Sequence, residues 1–167
     1  MRALFVVVSG APGSGKSTLA RALAPALDLP LFMKDTIKEA LGDVLGAPDM
    51  DASKELGGAT MQVLVALARD NIGAVLESTW HREFALDQLH GIGPIVEVYC
   101  DVPPEVAQAR YVTRTRHPVH FDKEQGDNLQ GWIDRHPQFV GGDWPLITVD
   151  TTCAVDIDAL AKQILDA

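Results

Sequence analysis

The stretch Leu4-Phe5-Val6-Val7-Val8-Ser9-Gly10-Ala11-Pro12-Gly13-Ser14-Gly15-Lys16-Ser17-Thr18 decides the fold. Leu4 to Val8 is a continuous apolar run, the signature of a strand buried on both faces. The residues after it fit G-x-x-x-x-G-K-[ST], with Gly10, Gly15, Lys16 and Ser17 at the fixed positions. Glycines permit a tight turn in which backbone N–H groups converge on a polyphosphate, and the helix that follows faces the same anion with its positive dipole end. Gly10, Ala11, Pro12, Gly13, Ser14, Gly15, Lys16, Ser17 and Thr18 are therefore expected to cradle a nucleoside triphosphate. Lys16 should reach the β- and γ-phosphates, and the Ser17 hydroxyl should sit on Mg²⁺.

Working outward, apolar runs alternate with helical periodicity along the 167 residues, the pattern of a parallel sheet covered by helices. Strands are expected at Leu4–Val8, Leu31–Met33, Ala74–Leu76, Ile95–Cys100 and Leu146–Val149, with helices beginning near Lys16, Ser53, Pro103 and Val155. One α/β domain spanning 1–167 is expected, large enough to bury a core without disulfides or metal. From Thr113 to Trp144 the apolar pattern weakens, and His117-Pro118, His136-Pro137 and several glycines interrupt it. A mobile lid with one or two short helices is expected there.

Composition narrows the classes. The formal net charge of −9 opposes approach to extended nucleic acid and to anionic membranes, without excluding one nucleotide in a local basic pocket. No apolar run nears the roughly 20 residues that span a bilayer. Cys100 and Cys153 lie outside any metal-binding spacing and are expected to be inert core thiols in a reducing, cytoplasmic setting. Gly-x-Gly-x-x-Gly is absent, which sets aside a dinucleotide-binding fold.

Chemistry beyond phosphate binding is carried by three further stretches. Asp35 follows the second strand in Lys34-Asp35-Thr36, at the carboxyl edge where α/β sheets gather ligands; it suits either an acid that takes the proton of an attacking hydroxyl or a helix N-cap. Glu77 ends the third strand and is expected either to hold a magnesium-bound water or to orient the acceptor. Trp80 and Arg82 follow it as candidate walls of the acceptor pocket, offering an aromatic face and a cation. The helix begun by Asp101-Val102-Pro103-Pro104 should carry Arg110 and Arg114 on one face, with Arg116 beyond, the main concentration of positive charge in an acidic chain. Arginines so placed are expected to stabilise a migrating phosphoryl group, with Arg116 toward the acceptor. His117 and His120 have a spacing that would suit a metal, but a loop role is expected of them. The turn Asp150-Thr151-Thr152 is expected beside the adenine.

Taken together, the P-loop, Lys34-Asp35, Leu76-Glu77-Ser78-Thr79, the arginine series and Val149-Asp150-Thr151-Thr152 resemble the small P-loop kinases, in particular the group of polynucleotide kinase, chloramphenicol phosphotransferase and zeta-toxin-like enzymes. That resemblance implies a three-layer P-loop NTPase fold with strand order 2-3-1-4-5. It also implies that Asp35 activates the acceptor hydroxyl and that the Asp-Thr-Thr turn borders adenine. The function expected is an ATP- and Mg²⁺-dependent kinase acting on a nucleoside-, sugar- or antibiotic-like alcohol. A polynucleotide or nucleotide kinase and a slowly hydrolysing ATP-dependent switch are the alternatives.

Overall fold

The computed structural model describes residues 3–122 and 139–167. Five strands form a parallel sheet in the order β2-β3-β1-β4-β5, as the kinase resemblance implies: β1 is Leu4–Ser9, β2 Leu31–Met33, β3 Gly73–Glu77, β4 Ile95–Asp101 and β5 Leu146–Asp150. The helices are α1 (Lys16–Ala26), α2 (Lys34–Leu45), α3 (Met50–Arg69), α4 (Arg82–Leu89), α5 (Pro104–Thr113) and α6 (Ile157–Asp166), with a short 3₁₀ turn at Pro118–His120.

Alternation along β1 divides the core. Leu4, Val6 and Val8 pack with Leu19 and Leu23 of α1 and with Leu160 and Ile164 of α6. Phe5 and Val7 face the other way, onto Leu64 and Ala68 of α3 and Ala85 and Leu89 of α4. Burial on both faces explains the unbroken apolar run, because neither side of the strand meets water.

Register then assembles the site. Val8 of β1 pairs with Glu77 of β3, which also faces Met33 of β2, and Ser9 pairs with Tyr99 of β4. The carboxyl ends of four strands therefore stand at one edge, bringing the P-loop, Asp35 and Glu77 together.

Two helices, α2 and α4, escape the apolar-pattern reading. Helix α2 opens at Lys34 with Met33 as its N-cap, so Asp35 lies inside the first turn and does not cap it. Helix α3 starts earlier than expected, where the Asp49 carboxylate accepts from Ala52 N at 2.8 Å. Helix α5 ends at Thr113, and Arg114 is already extended, so Arg110 and Arg114 do not share a helical face. No side chain caps α5; Asp101 remains at the end of β4 and Pro103 takes the N-cap position. Cys100 is buried as expected, but Cys153 is exposed. Of the expected lid, residues 123–138 lie outside the described residues, and no described helix is long and apolar enough to cross a membrane.

Candidate active site

The loop between β1 and α1 has the geometry its glycines anticipate. Gly15 is the left-handed N-cap of α1 at φ 87°. Gly13, at φ 83°, lies so close to α5 that a Cβ there would stand 2.2 Å from the Ala107 carbonyl oxygen. A side chain at Gly13 would displace the α5 backbone, and at Gly15, where there is room, the left-handed φ would strain any other residue. Lys16 is buried and donates to the Ala11 carbonyl at 2.8 Å, closing the loop on itself. Burial pushes its pKa down, against the attraction of Glu77. A polyphosphate arriving over this loop would supply the countercharge the ammonium lacks.

A cleft of about 680 Å³ opens over the P-loop and reaches Asp35 on α2, Glu77 on β3, Arg110 and Tyr111 on α5, and Arg114, Arg116, His120 and Asp122 beyond α5. Asp35 pairs with Arg116 and lies 3.6 Å from the Lys34 ammonium. Burial alone would raise its pKa, but Arg116, Lys34, His120 and Lys16 outweigh that effect and hold the carboxyl below its ordinary range. Asp35 is therefore ionised at neutral pH.

Arg116 also meets Asp122 at 3.1 Å, and Arg114 meets the same carboxylate at 3.1 Å while its guanidinium stacks 4.0 Å above the Tyr111 ring. Asp122 thus fixes both arginines from one point. His120, almost fully buried, contacts Glu39 at 2.8 Å and Arg116 at 3.1 Å. Burial, then Arg116, lower its pKa against Asp35 and Glu39; Nε2 faces the Glu39 carboxylate, and the Arg116 guanidinium stands 3.1 Å from both ring nitrogens. His117 contacts Asp43 at 2.9 Å instead. The two histidines hold the arginine segment against α2. Among the described residues, no cluster of three or more His, Cys, Asp or Glu is arranged to bind a metal.

The donor set at Glu77 nevertheless fits magnesium. Its Oε2 is buried without a hydrogen-bond partner, and the nearby Ser17 hydroxyl favours the charged form of the carboxylate. Burial pushes the Glu77 pKa up, and Lys16 opposes this. A hydroxyl and one carboxylate beside a phosphate site are the sparse protein ligands a hydrated Mg²⁺ uses, its remaining positions filled by water and phosphate oxygens.

Arg110 bonds the Thr151 and Thr152 carbonyls at 3.0 and 3.3 Å, and its other nitrogen lies 3.9 Å from the place of a Gly15 Cβ. It braces the Asp150-Thr151-Thr152 turn against the P-loop. Thr151 does the same through its hydroxyl, which donates to the Ser14 carbonyl at 2.6 Å. Asp150 accepts from the Thr152 amide and hydroxyl and shapes that turn.

Trp80 is not a wall of the cleft. It is 5% exposed, packed among core residues, with its indole N–H given to the Val8 carbonyl at 3.2 Å. An aromatic whose single donor is satisfied inside gains more from burial than from lining a wet pocket. Arg82 is likewise directed elsewhere, with one guanidinium nitrogen 2.7 Å from where a Gly141 Cβ would stand. His81, between them in sequence, lines the cleft in their place.

Lys38 is a site residue that the sequence reading missed. It lines the cleft, is 5% exposed, and donates a hydrogen bond to Ser53 Oγ at 2.7 Å. Its signal in the sequence is an i, i+4 spacing from Lys34, visible only once α2 is known to be a helix.

With this geometry the comparisons with known proteins agree. A family model described as an AAA domain matches residues 5–136. The chain belongs to the AAA domain family. Among solved structures, this AAA-domain protein is similar to a candidate kinase from Chloroflexus aurantiacus J-10-fl, at 27% identity and TM-score 0.84, covering 99% of this chain and 98% of that one. It shares its fold with a gluconokinase from Sinorhizobium meliloti 1021, at 20% identity, TM-score 0.60 and 99% and 94% coverage. A shikimate kinase from Acinetobacter baumannii in complex with shikimate is similar at 17% identity, TM-score 0.55 and 99% and 92% coverage. No curated protein matches the sequence. The fold is that of small P-loop kinases, which supports nucleotide binding and a phosphotransferase; the narrower group of polynucleotide kinase and its relatives is not what these matches single out.

Proposed function

We propose that this AAA-domain protein is an ATP-dependent kinase that moves the γ-phosphate to a hydroxyl of a small-molecule acceptor of nucleoside-, sugar- or antibiotic-like character. The observation that carries the reading is that one cleft holds the P-loop lysine, an ionised carboxylate at a strand end and three arginines. A nucleotide switch needs the first of these; phosphoryl transfer to an alcohol uses all three.

The P-loop amides and Lys16 bind the triphosphate and fix the γ-phosphate in line with the opening toward Asp35. Mg²⁺ on Ser17, with Glu77 behind it, would neutralise charge on the phosphate oxygens. Asp35 accepts a hydrogen bond from the acceptor hydroxyl, aims its oxygen at the γ-phosphorus and takes the proton as the new P–O bond forms and the bond from the γ-phosphorus to the β,γ-bridging oxygen breaks, with ADP leaving. A carboxylate held at low pKa is a weak base, and this suits a loose transition state in which the alcohol is still protonated until late. Arg114 and Arg116 stand where they can leave Asp122 and Asp35 for the equatorial oxygens of the migrating group, while Arg110 holds the nucleotide side. Neighbours support the class of acceptor: gluconokinase and shikimate kinase are named for polyhydroxylated small molecules.

Replacing Asp35 with Asn tests the assignment. ATP affinity should stay within a few-fold of wild type while acceptor-dependent ADP release falls by about 10²- to 10⁴-fold, the range for loss of a positioned base. Unchanged turnover would remove Asp35 from the mechanism.

A further inference from the structure

A second cavity, of about 400 Å³, adjoins the cleft and shares Lys34, Lys38, Lys54, Thr79 and His81 with it. Its remaining described walls are supplied by α3, the end of β3 and α4, and none of its described lining residues is an aspartate or glutamate. In a chain with 23 acidic and 14 basic side chains, a pocket with three lysines and no carboxylate is a local reversal of charge.

Helix α3 adds an independent observation. It passes this pocket with two consecutive glycines, Gly57 and Gly58, in the middle of its 20 residues, where glycine is the poorest helix former after proline. Packing does not demand them. A Cβ at Gly58 would meet nothing within 4 Å, and a Cβ at Gly57 would meet only the Lys38 and Lys34 ammonium nitrogens, at 3.9 and 4.0 Å, ordinary contact distances. The helix is thus bare at the point where two ammonium groups converge on it. Lys38 is fixed there by Ser53, whose hydroxyl in turn donates to the Val119 carbonyl at 2.6 Å.

We propose that this pocket is an oxyanion subsite, in which Lys34 and Lys38 seat a carboxylate or phosphate monoester of the acceptor in the space left by the missing side chain of Gly57, while its hydroxyl faces Asp35. The proposal rests on reading the adjoining cleft as the acceptor site, and it narrows the acceptor to an anionic alcohol. Lys54 stands at the exposed rim, bonded to Asp51 at 3.0 Å, and adds attraction more than contact. Burial pushes the Lys38 pKa down to about 8, and Lys34 and Arg116 add to that against Asp35 and Asp122. A bound oxyanion would relieve that strain on the ammonium charge. The anion also provides what a hydroxyl alone cannot, a second fixed point that sets the orientation of the acceptor.

The test is a matched panel: glycerol, glycerate and glycerol 3-phosphate; ribitol, ribonate and ribitol 5-phosphate. An anionic member should be phosphorylated with kcat/KM at least tenfold above its neutral partner, and the carboxylate and phosphate arms show which oxyanion the subsite prefers. Lys38→Gln should remove that advantage through KM. Gly57→Ala should raise the melting temperature, because alanine favours the helix, and yet raise KM for the anionic acceptor by occupying its place; replacing a purely structural glycine would instead lower the melting temperature as KM rises. Neutral polyols matching their anionic partners, or an advantage surviving in both variants, would overturn the subsite. If no member is phosphorylated, the kinase reading fails on its own, and the subsite is judged by calorimetric titration of the ADP-saturated protein with the same panel. Tighter binding of anionic members by at least tenfold, lost in Lys38→Gln, sustains it; equal binding of neutral and anionic members overturns it.

Discussion

Glu97 is a carboxylate with no solvent exposure, in the middle of strand β4, between β1 and β5 in the sheet. It accepts from Ser9 Oγ at 2.6 Å, Val140 N at 2.6 Å, Gly141 N at 3.0 Å and Trp144 Nε1 at 3.2 Å. It moors the segment after residue 138 to the sheet, next to the last residue of β1 before the P-loop. Glu97→Ala would strand all four donors. Those of Ser9 and Val140 sit at fully buried residues and bear the whole penalty, about 1–3 kcal/mol each, while Gly141 and Trp144 are half-buried and can turn to water. A loss of about 4 kcal/mol follows, which for a domain of this length lowers Tm by about 8–16 °C. Glu97→Gln keeps one acceptor but turns an NH₂ toward donors, so its fall should be smaller than that of alanine and still clear. Calorimetric or circular-dichroism melting of the three proteins measures both. A drop below about 3 °C for alanine, or glutamine falling as far as alanine, would show that the donors reach other acceptors and that Glu97 is not the mooring described.

Other outcomes follow from the same geometry. Asp35 has a folded-state pKa below its ordinary 3.8, so its contribution to stability is present above that value and is lost as pH falls through the lower folded one. Asp35→Asn should therefore be less stable than wild type near neutrality, by no more than about 1 kcal/mol for a partly exposed pair, with the gap in urea midpoints closing as pH falls through the lowered folded-state pKa; a gap that persists in acid would contradict this. Arg110→Ala releases the Thr151 and Thr152 carbonyls from the P-loop side and should weaken ATP by about tenfold, read by calorimetry, without matching loss of Tm. Burial pushes the Cys100 thiol up to about 12, so an alkylating thiol reagent at neutral pH should label the folded protein once, at exposed Cys153, with Cys100 reacting only on unfolding.

Strands β1, β3 and β4 were legible because burial on both faces leaves an apolar run, and every strand lies within a residue or so of its expected ends, although β2 and β5 are only partly covered. The P-loop was legible because its glycines answer to backbone geometry, a local property. Helix α2 carries Ile37, Leu41 and Val44 at helical spacing, but the stripe is only partly covered and the one fully buried residue is Lys38, an amphipathic side chain whose ammonium faces a cavity, so the segment does not read as a core helix. Trp80 misled because an aromatic beside a strand end suits a pocket wall and a core plug equally, and the Val8 carbonyl that settles it lies 72 residues away. Asp122 and His120 lie only four to eight residues from the arginines they organise, but the fold-back of that non-helical segment and its reach to Asp35 and Glu39, 81 residues away, are not encoded in spacing. Glu97 had a visible sign, a lone charge within Ile95-Val96-Glu97-Val98, but the donors that explain it come from distant segments.

The account turns on where the γ-phosphate goes. Incubation with γ-labelled ATP and Mg²⁺ across the alcohol panel should move label into an organic phosphomonoester, absent with Lys16→Ala and reduced about 10²- to 10⁴-fold with Asp35→Asn. Label released only as inorganic phosphate, at a rate indifferent to every alcohol and to Asp35, would contradict it.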